Sequence, residues 1–216
     1  MTKVWDGFIR GFHWLLVTGI VLLYVSGEQE WMDLHFVTGY LLLALFVARL
    51  IWGVVGSDTA KIANLFHGPR AVKQALKHED KRYGHNAAGS YMVLLFFVLI
   101  AVQLISGLMS TDDIMMEGPL VAMVPSSWVE IASDVHHLNI NLLIAAIALH
   151  VLAIVVYRLR GKNLVKTLVT GRTTKDQTIA AEPKMRAGVV GYVIFGVLSA
   201  VLMATWGSAP LSALFN

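Results

Sequence analysis

The stretch His136–Tyr157, HHLNINLLIAAIALHVLAIVVY, decides how this 216-residue chain is read. From Leu138 to Val156 it is almost wholly apolar. About 20 such residues suffice to cross a bilayer hydrocarbon core about 30 Å thick, so the stretch reads as a transmembrane helix. A helix turns about 100° per residue, so His136 and His150 return to nearly the same face, about 21 Å apart along the axis. An ionisable side chain inside a span is costly and points to function. His150 is a strong instance, flanked by Ala146, Ile147, Ala148, Leu149, Val151 and Leu152. His137 is out of phase with His150, so His136 is the member of the pair taken forward.

The whole chain shares this membrane character. It is 56% hydrophobic and 14% charged, whereas soluble domains carry about 25% charged residues. It holds no Cys, which excludes disulfides, Cys-ligated zinc, iron–sulfur clusters and covalent c-type haem attachment within the chain. Five apolar segments match the length of a span: approximately Phe12–Gly27, Phe36–Gly56, Ala87–Met109, Leu138–Tyr157 and Gly188–Trp206. The first is short unless Ile9 and its neighbours extend it. It lacks a small-residue cleavage pattern and reads as a retained helix. Gly19, Gly39, Gly107 and Gly196 fall inside spans, where small residues let helices or a flat cofactor approach closely.

The basic residues set the expected orientation. Lys3 and Arg10 precede or open the first span, and Arg49 lies near the end of the second. Lys61, Arg70, Lys73, Lys77, Lys81 and Arg82 lie between the second and third, and eight more run from Arg158 to Arg186. The alternate loops hold no Lys or Arg, only acids such as Glu28, Glu30, Asp33, Asp112, Asp113, Glu117, Glu130 and Asp134. The positive-inside rule then predicts a multi-pass membrane protein with a cytoplasmic N-terminus and a C-terminus outside. The pI near 9.2 follows from these topological charges beside anionic lipid, so a nucleic-acid partner is excluded. The acidic outer loops could face a basic partner.

Depth now sorts the histidines. The first span runs outward, so His13 lies near the cytoplasmic side. The second and fourth run inward, so His35 and His136 lie near the outer side and His150 near the inner. Depth alone pairs His13 with His150 and His35 with His136. Four imidazoles at two matched depths have the arithmetic of two bis-histidine metal centres, and the metal they point to is haem iron. Iron held by two imidazoles is six-coordinate and suited to moving electrons rather than binding oxygen. His67 and His78 read as solvated loop residues. His85 opens the third span and reads as an interfacial anchor, with a quinone pocket or a haem propionate as its functional alternatives. Arg10 precedes His13 by one helical turn, where its guanidinium could pair with a propionate; Arg49 has the same option, against the plainer reading of a snorkelling charge.

These residues also carry a family likeness. Trp5-Asp6 is followed by Arg10-Gly11-Phe12-His13-Trp14, then by Leu34-His35-Phe36-Val37-Thr38-Gly39-Tyr40. Arg49-Leu50-Ile51-Trp52-Gly53 and Gly84-His85-Asn86-Ala87-Ala88-Gly89 come next. His136, Leu149-His150-Val151, Asn163-Leu164-Val165 and Thr170-Gly171-Arg172 complete the set. In this order the chain resembles the prokaryotic di-haem cytochrome b-561 family, which shares a domain with the b-type cytochrome subunit of nickel–iron hydrogenases. Each motif is weak alone; the ordered set, covering roughly residues 5–175, is specific.

The resemblance implies an all-α integral membrane fold: a four-helix transmembrane bundle over 1–175 holding two b-type haems, ligated by His13, His35, His136 and His150. The third span would supply packing and quinone contacts. Members pass electrons between the quinone pool and a redox protein such as a c-type cytochrome or hydrogenase. Residues 176–216 add a linker and an accessory fifth transmembrane helix on which the four-helix pattern is silent. Rival readings are a stand-alone oxidoreductase acting on a small substrate such as superoxide, an anchoring subunit of a larger complex, and a cofactor-free transporter relaying protons through the His residues. The last would want acidic residues inside the spans, and none occurs there. No arrangement supports nucleophilic catalysis and no glycine-rich phosphate loop is visible.

Overall fold

The computed structural model describes residues 1–76, 83–112, 116–174 and 182–215. Lys77, His78, Lys81, Arg82, Asp113, Lys175 and the domain boundary expected at 175/176 lie outside the described residues. The fold is helical, and among the described residues five helices are long and apolar enough to cross a membrane, as the segment lengths predict. The chain divides into two compact units, 1–91 with 163–216, and 92–162.

In the first unit α1 (Gly7–Glu28) and α2 (Met32–Val55) form an antiparallel pair. The first span is not short: α1 starts five residues before Phe12 because Asp6 caps it, its Oδ1 accepting from the Ile9 N–H at 2.8 Å. The other Asp6 oxygen accepts from Trp52 Nε1–H at 3.0 Å, tying the start of α1 to the end of α2. The turn between the helices is tight; Glu30 takes a positive φ of 57° and the Trp31 N–H donates to the Ser26 carbonyl. Along α2, Val37, Tyr40, Ala44, Ala48 and Trp52 recur every three or four residues and form its buried stripe.

The fifth span is an integral wall of this unit. α7 (Val189–Leu202) packs along α2 and against α1, then continues through a π-helical turn, Met203–Gly207, into α8 (Ser208–Ala213). The span therefore reaches Ala213, beyond the Trp206 expected. Its seat is shaped by missing side chains: a Cβ on Gly191 would enter the Phe8 ring, and one on Gly11 would meet the Tyr192 hydroxyl. Trp206 lies against Tyr40, ring centroids 6.0 Å apart.

The loops beside Asp6 knit into a cap. β1 (Thr2–Lys3) pairs antiparallel with β2 (Arg172–Thr173), in register Thr2 with Thr173. Val4 and Trp5 donate their N–H groups to the Gly171 carbonyl just after α6 (Leu164–Thr170). The end of the linker is fixed too, because the Lys184 and Arg186 N–H groups donate to Asp58 Oδ2 and Ser57 Oγ, each at 2.9 Å. Under these strands sits a core of Val4, Trp5, Phe8, Ile9, Ala48, Trp52 and Ala60.

After the short α3 (Pro69–Leu76) of the first unit, the second unit is built from most of α4 (Ala87–Leu108) and α5 (Ser126–Leu159). At 34 residues α5 is about 51 Å long, well beyond a hydrocarbon core. It begins twelve residues before the Leu138 expected, with Ser126, Ser127, Glu130, Ser133 and Asp134 in its polar first turns. The loop between the helices closes on itself through the Gly118 and Leu120 N–H groups, which donate to the carbonyls of Ser110 and Leu108.

Candidate functional site

Four histidines, two on each unit, are the candidate ligands. In the first unit His13 lies two turns into α1, close to the capped end, and His35 in the first turn of α2. Because the helices are antiparallel, these two lie at opposite ends of the pair. In the second unit His136 and His150 share α5, about 21 Å apart along its axis.

His35 is held by the turn it faces. Its Nδ1 lies 3.0 Å from the Leu23 carbonyl and 3.3 Å from Ser26 Oγ. A carbonyl can only accept, so Nδ1 carries the proton and Nε2 is the basic nitrogen. His136 has the same arrangement: Nδ1 is 3.0 Å from the Gln103 carbonyl and 3.2 Å from Ser106 Oγ. Its ring fits against α4 because Gly107 has no side chain; a Cβ there would come within 2.8 Å of Cε1. Metal-bound histidines characteristically donate their second ring N–H to a carbonyl in this way, which fixes tautomer and orientation.

His13 and His150 sit in more apolar settings. The His13 ring meets the neighbouring Trp14 edge-on at 5.1 Å, and the His150 ring meets Phe96 edge-on at 5.6 Å. His137 is exposed and its ring stands at 82° to that of His136. His85 lies over Trp5, ring centroids 4.7 Å apart. His67, read as solvated, is instead half-buried with Nε2 3.0 Å from Ser90 Oγ, because its loop folds back onto the first turn of α4.

The two arginines differ. Arg10 packs beside Gly171, whose missing Cβ leaves room for its Cδ and Nη1. Its Nε is buried and takes no hydrogen bond among the described residues, which suits an incoming carboxylate. Arg49 is not a snorkelling charge: it is 4% exposed, with its guanidinium carbon 5.8 Å from the Phe12 ring centroid.

No group of three or more His, Cys, Asp or Glu among the described residues could hold a metal by itself. Single, separated imidazoles are the donors a porphyrin uses, since it brings four nitrogens and asks the protein for two imidazoles. Gln103, Ser106 and Asn139 escape the motif reading, and Asp6 enters it only as a motif residue, without its capping role. Gln103 and Asn139 carried a usable signal, since amides deep in apolar spans need a reason. Asp6 carried one as an acid just before an apolar run.

A family model described as prokaryotic cytochrome b561 matches residues 4–171. A probable Ni/Fe-hydrogenase B-type cytochrome subunit from Azotobacter chroococcum mcd 1 is 30% identical over 132 residues, covering 46% of this chain and 54% of the relative. One of the same description from Azotobacter vinelandii has the same identity and coverage. The chain thus spans about half the length of the curated relatives it matches. No solved structure matches it.

Proposed function

The chain belongs to the prokaryotic cytochrome b561 family, and from that premise we propose that it carries electrons across the bacterial inner membrane through two b-type haems. Haem, when bound, would supply a one-electron iron couple. The chain's residues do the rest. By depth in the membrane, His13 and His150 would be the inner ligand pair, and His35 and His136 the outer pair. The Nδ1–H of His35 and of His136 donates to a helix carbonyl at 3.0 Å, which presents Nε2 as the ligand nitrogen; this observation carries the reading. Arg10 binds a propionate of the inner haem through its buried, unsatisfied Nε–H. Apolar walls such as Phe96 and Leu143 exclude water and narrow the reorganisation each electron demands.

The positive-inside pattern supports a cytoplasmic N-terminus and a periplasmic C-terminus. Residues 1–175 supply all four ligand histidines of the haem-binding domain, and the fifth helix, which holds no His, is accessory to haem binding while packed into the first unit. Quinol or quinone in the bilayer and an outer-face redox protein, such as a c-type cytochrome or hydrogenase, are the exchange partners. The names of the Azotobacter relatives support the hydrogenase-like option.

The test is vectorial transfer in liposomes. Haem-replete protein should reduce entrapped ferricyanide from external ascorbate, an anion that does not readily cross the bilayer, at a rate scaling with protein. His13→Ala and His35→Ala should each abolish it. Haem-replete protein that transfers nothing above empty liposomes would refute the proposal.

A further inference from the structure

A buried amide chain links α4 to the ring of His136. Asn139 is 4% exposed, three residues after His136. Its Nδ2 donates twice, to the Leu99 carbonyl and to Gln103 Oε1, both at 2.8 Å. An amide nitrogen has two hydrogens, so both are used. This fixes the Gln103 amide: Oε1 faces Asn139 and Nε2 must face His136. Nε2 lies 3.2 Å from the His136 carbonyl and 3.2 Å from each of the two ring nitrogens. A point equidistant from both nitrogens is off the line of the Nε2 lone pair of the imidazole. Gln103 therefore lies beside the ring without occupying the ligand direction.

Ser106 approaches with the opposite polarity. Its hydroxyl hydrogen goes to a carbonyl of its own helix, that of Val102 at 2.7 Å or of Gln103 at 3.2 Å. Its oxygen lone pairs are thus turned to the His136 Nδ1–H at 3.2 Å.

We infer that Gln103, held by Asn139, and Ser106 are positioning residues that fix the His136 imidazole and shift the potential of the outer haem in opposite directions. The inference rests on His136 being an axial ligand of that haem. The amide N–H of Gln103 turns the positive end of its dipole to the ring, which favours an added electron. The Ser106 oxygen draws on Nδ1–H, makes the ring more basic and favours oxidised iron. In a low-dielectric interior neither dipole is screened away. α4 thus tunes one of the two centres without supplying a ligand.

The test is an optical redox titration of the full-length, detergent-purified protein with His136→Ala, Gln103→Leu, Asn139→Leu and Ser106→Ala. His136→Ala first identifies the outer haem as the one lost. Gln103→Leu should lower the midpoint potential of that haem, Asn139→Leu should lower it less, and Ser106→Ala should raise it, with the other haem unmoved. A general loosening of the fold would not split the signs. Shifts of one sign in all three variants, equal shifts in both haems, or no shift would overturn the inference. If Gln103→Leu does not retain haem, Ser106→Ala decides alone, since an outer potential that fails to rise refutes the tuning. A wild type without haem, or full haem content in His136→Ala, would instead sink the ligand reading itself, and this inference with it.

Discussion

Removing the Asp6 carboxylate should loosen the capped end of the first unit measurably. Asp6 is fully buried and makes two separable hydrogen bonds, to the Ile9 N–H and to Trp52 Nε1–H. Loss of an N-cap costs about 1 kcal/mol, and a buried indole N–H left without an acceptor costs about 1–3 kcal/mol, so Asp6→Ala should destabilise by about 2–4 kcal/mol. Asp6→Asn separates the two contributions. Asn caps a helix as well as Asp does, but one position of its amide must be a donor, which would then oppose the Trp52 N–H. Asp6→Asn should therefore cost about 1–3 kcal/mol in the wild type and under about 1 kcal/mol in a Trp52→Phe background. The assay is reversible unfolding in mixed micelles, followed by tryptophan fluorescence with circular dichroism for the Trp52→Phe pair. An Asp6→Ala protein within about 0.5 kcal/mol of wild type, or equal costs of Asp6→Asn in both backgrounds, would refute the two-bond account.

Other consequences follow from the same packing. The Cβ of Gly191→Ala would enter the Phe8 ring, so this variant should lose about 1–3 kcal/mol, whereas Gly196→Ala meets nothing within 4 Å and should stay within about 1 kcal/mol of wild type; apparent melting temperatures in detergent would show whether the two differ. Gly107→Ala should push the His136 ring off α4 and cut the haem content by one per chain, a result contradicted by an unchanged pyridine haemochrome value. Asp58 is held below the usual carboxylate range by the Lys61 ammonium at 2.7 Å and then by the Lys184 N–H. A depressed carboxyl stabilises the folded form above its unfolded pKa of about 3.9 and loses that contribution as pH falls through the lower folded value. Amide exchange over 182–188 should therefore accelerate, beyond its intrinsic pH dependence, as pH falls below about 3.9, and Asp58→Asn should abolish that step. Equal protection factors across the range would count against the tether.

The spans were legible because a bilayer imposes a length and a composition that sequence displays directly. Helix ends were less so. α1 starts early because Asp6 caps it, and α5 starts at Ser126 because a helix can extend into water with a polar surface that no hydropathy window detects. The cap beside Asp6 was invisible, since it pairs Thr2 with Thr173 through backbone groups that every residue type possesses, and Asp58 through its carboxylate with the backbone N–H of Lys184, far away in sequence. At the candidate site, periodicity distinguished His136 from His137, because helix phase is a property of numbering. The support of His136 by Gln103 and Ser106 was not legible, because it depends on which face of α4 meets α5. His67 misled for the same reason: a loop position says nothing about what the loop folds back upon.

The central claim is that two imidazole pairs hold two haems in one chain. The most direct measurement is pyridine haemochrome quantitation, with a reduced-minus-oxidised spectrum, of the detergent-purified wild type and of His150→Ala. The account predicts two haems b per wild-type chain and one in the variant, with the remaining haem still six-coordinate. A colourless wild type, or a His150→Ala protein that keeps both haems, would contradict it.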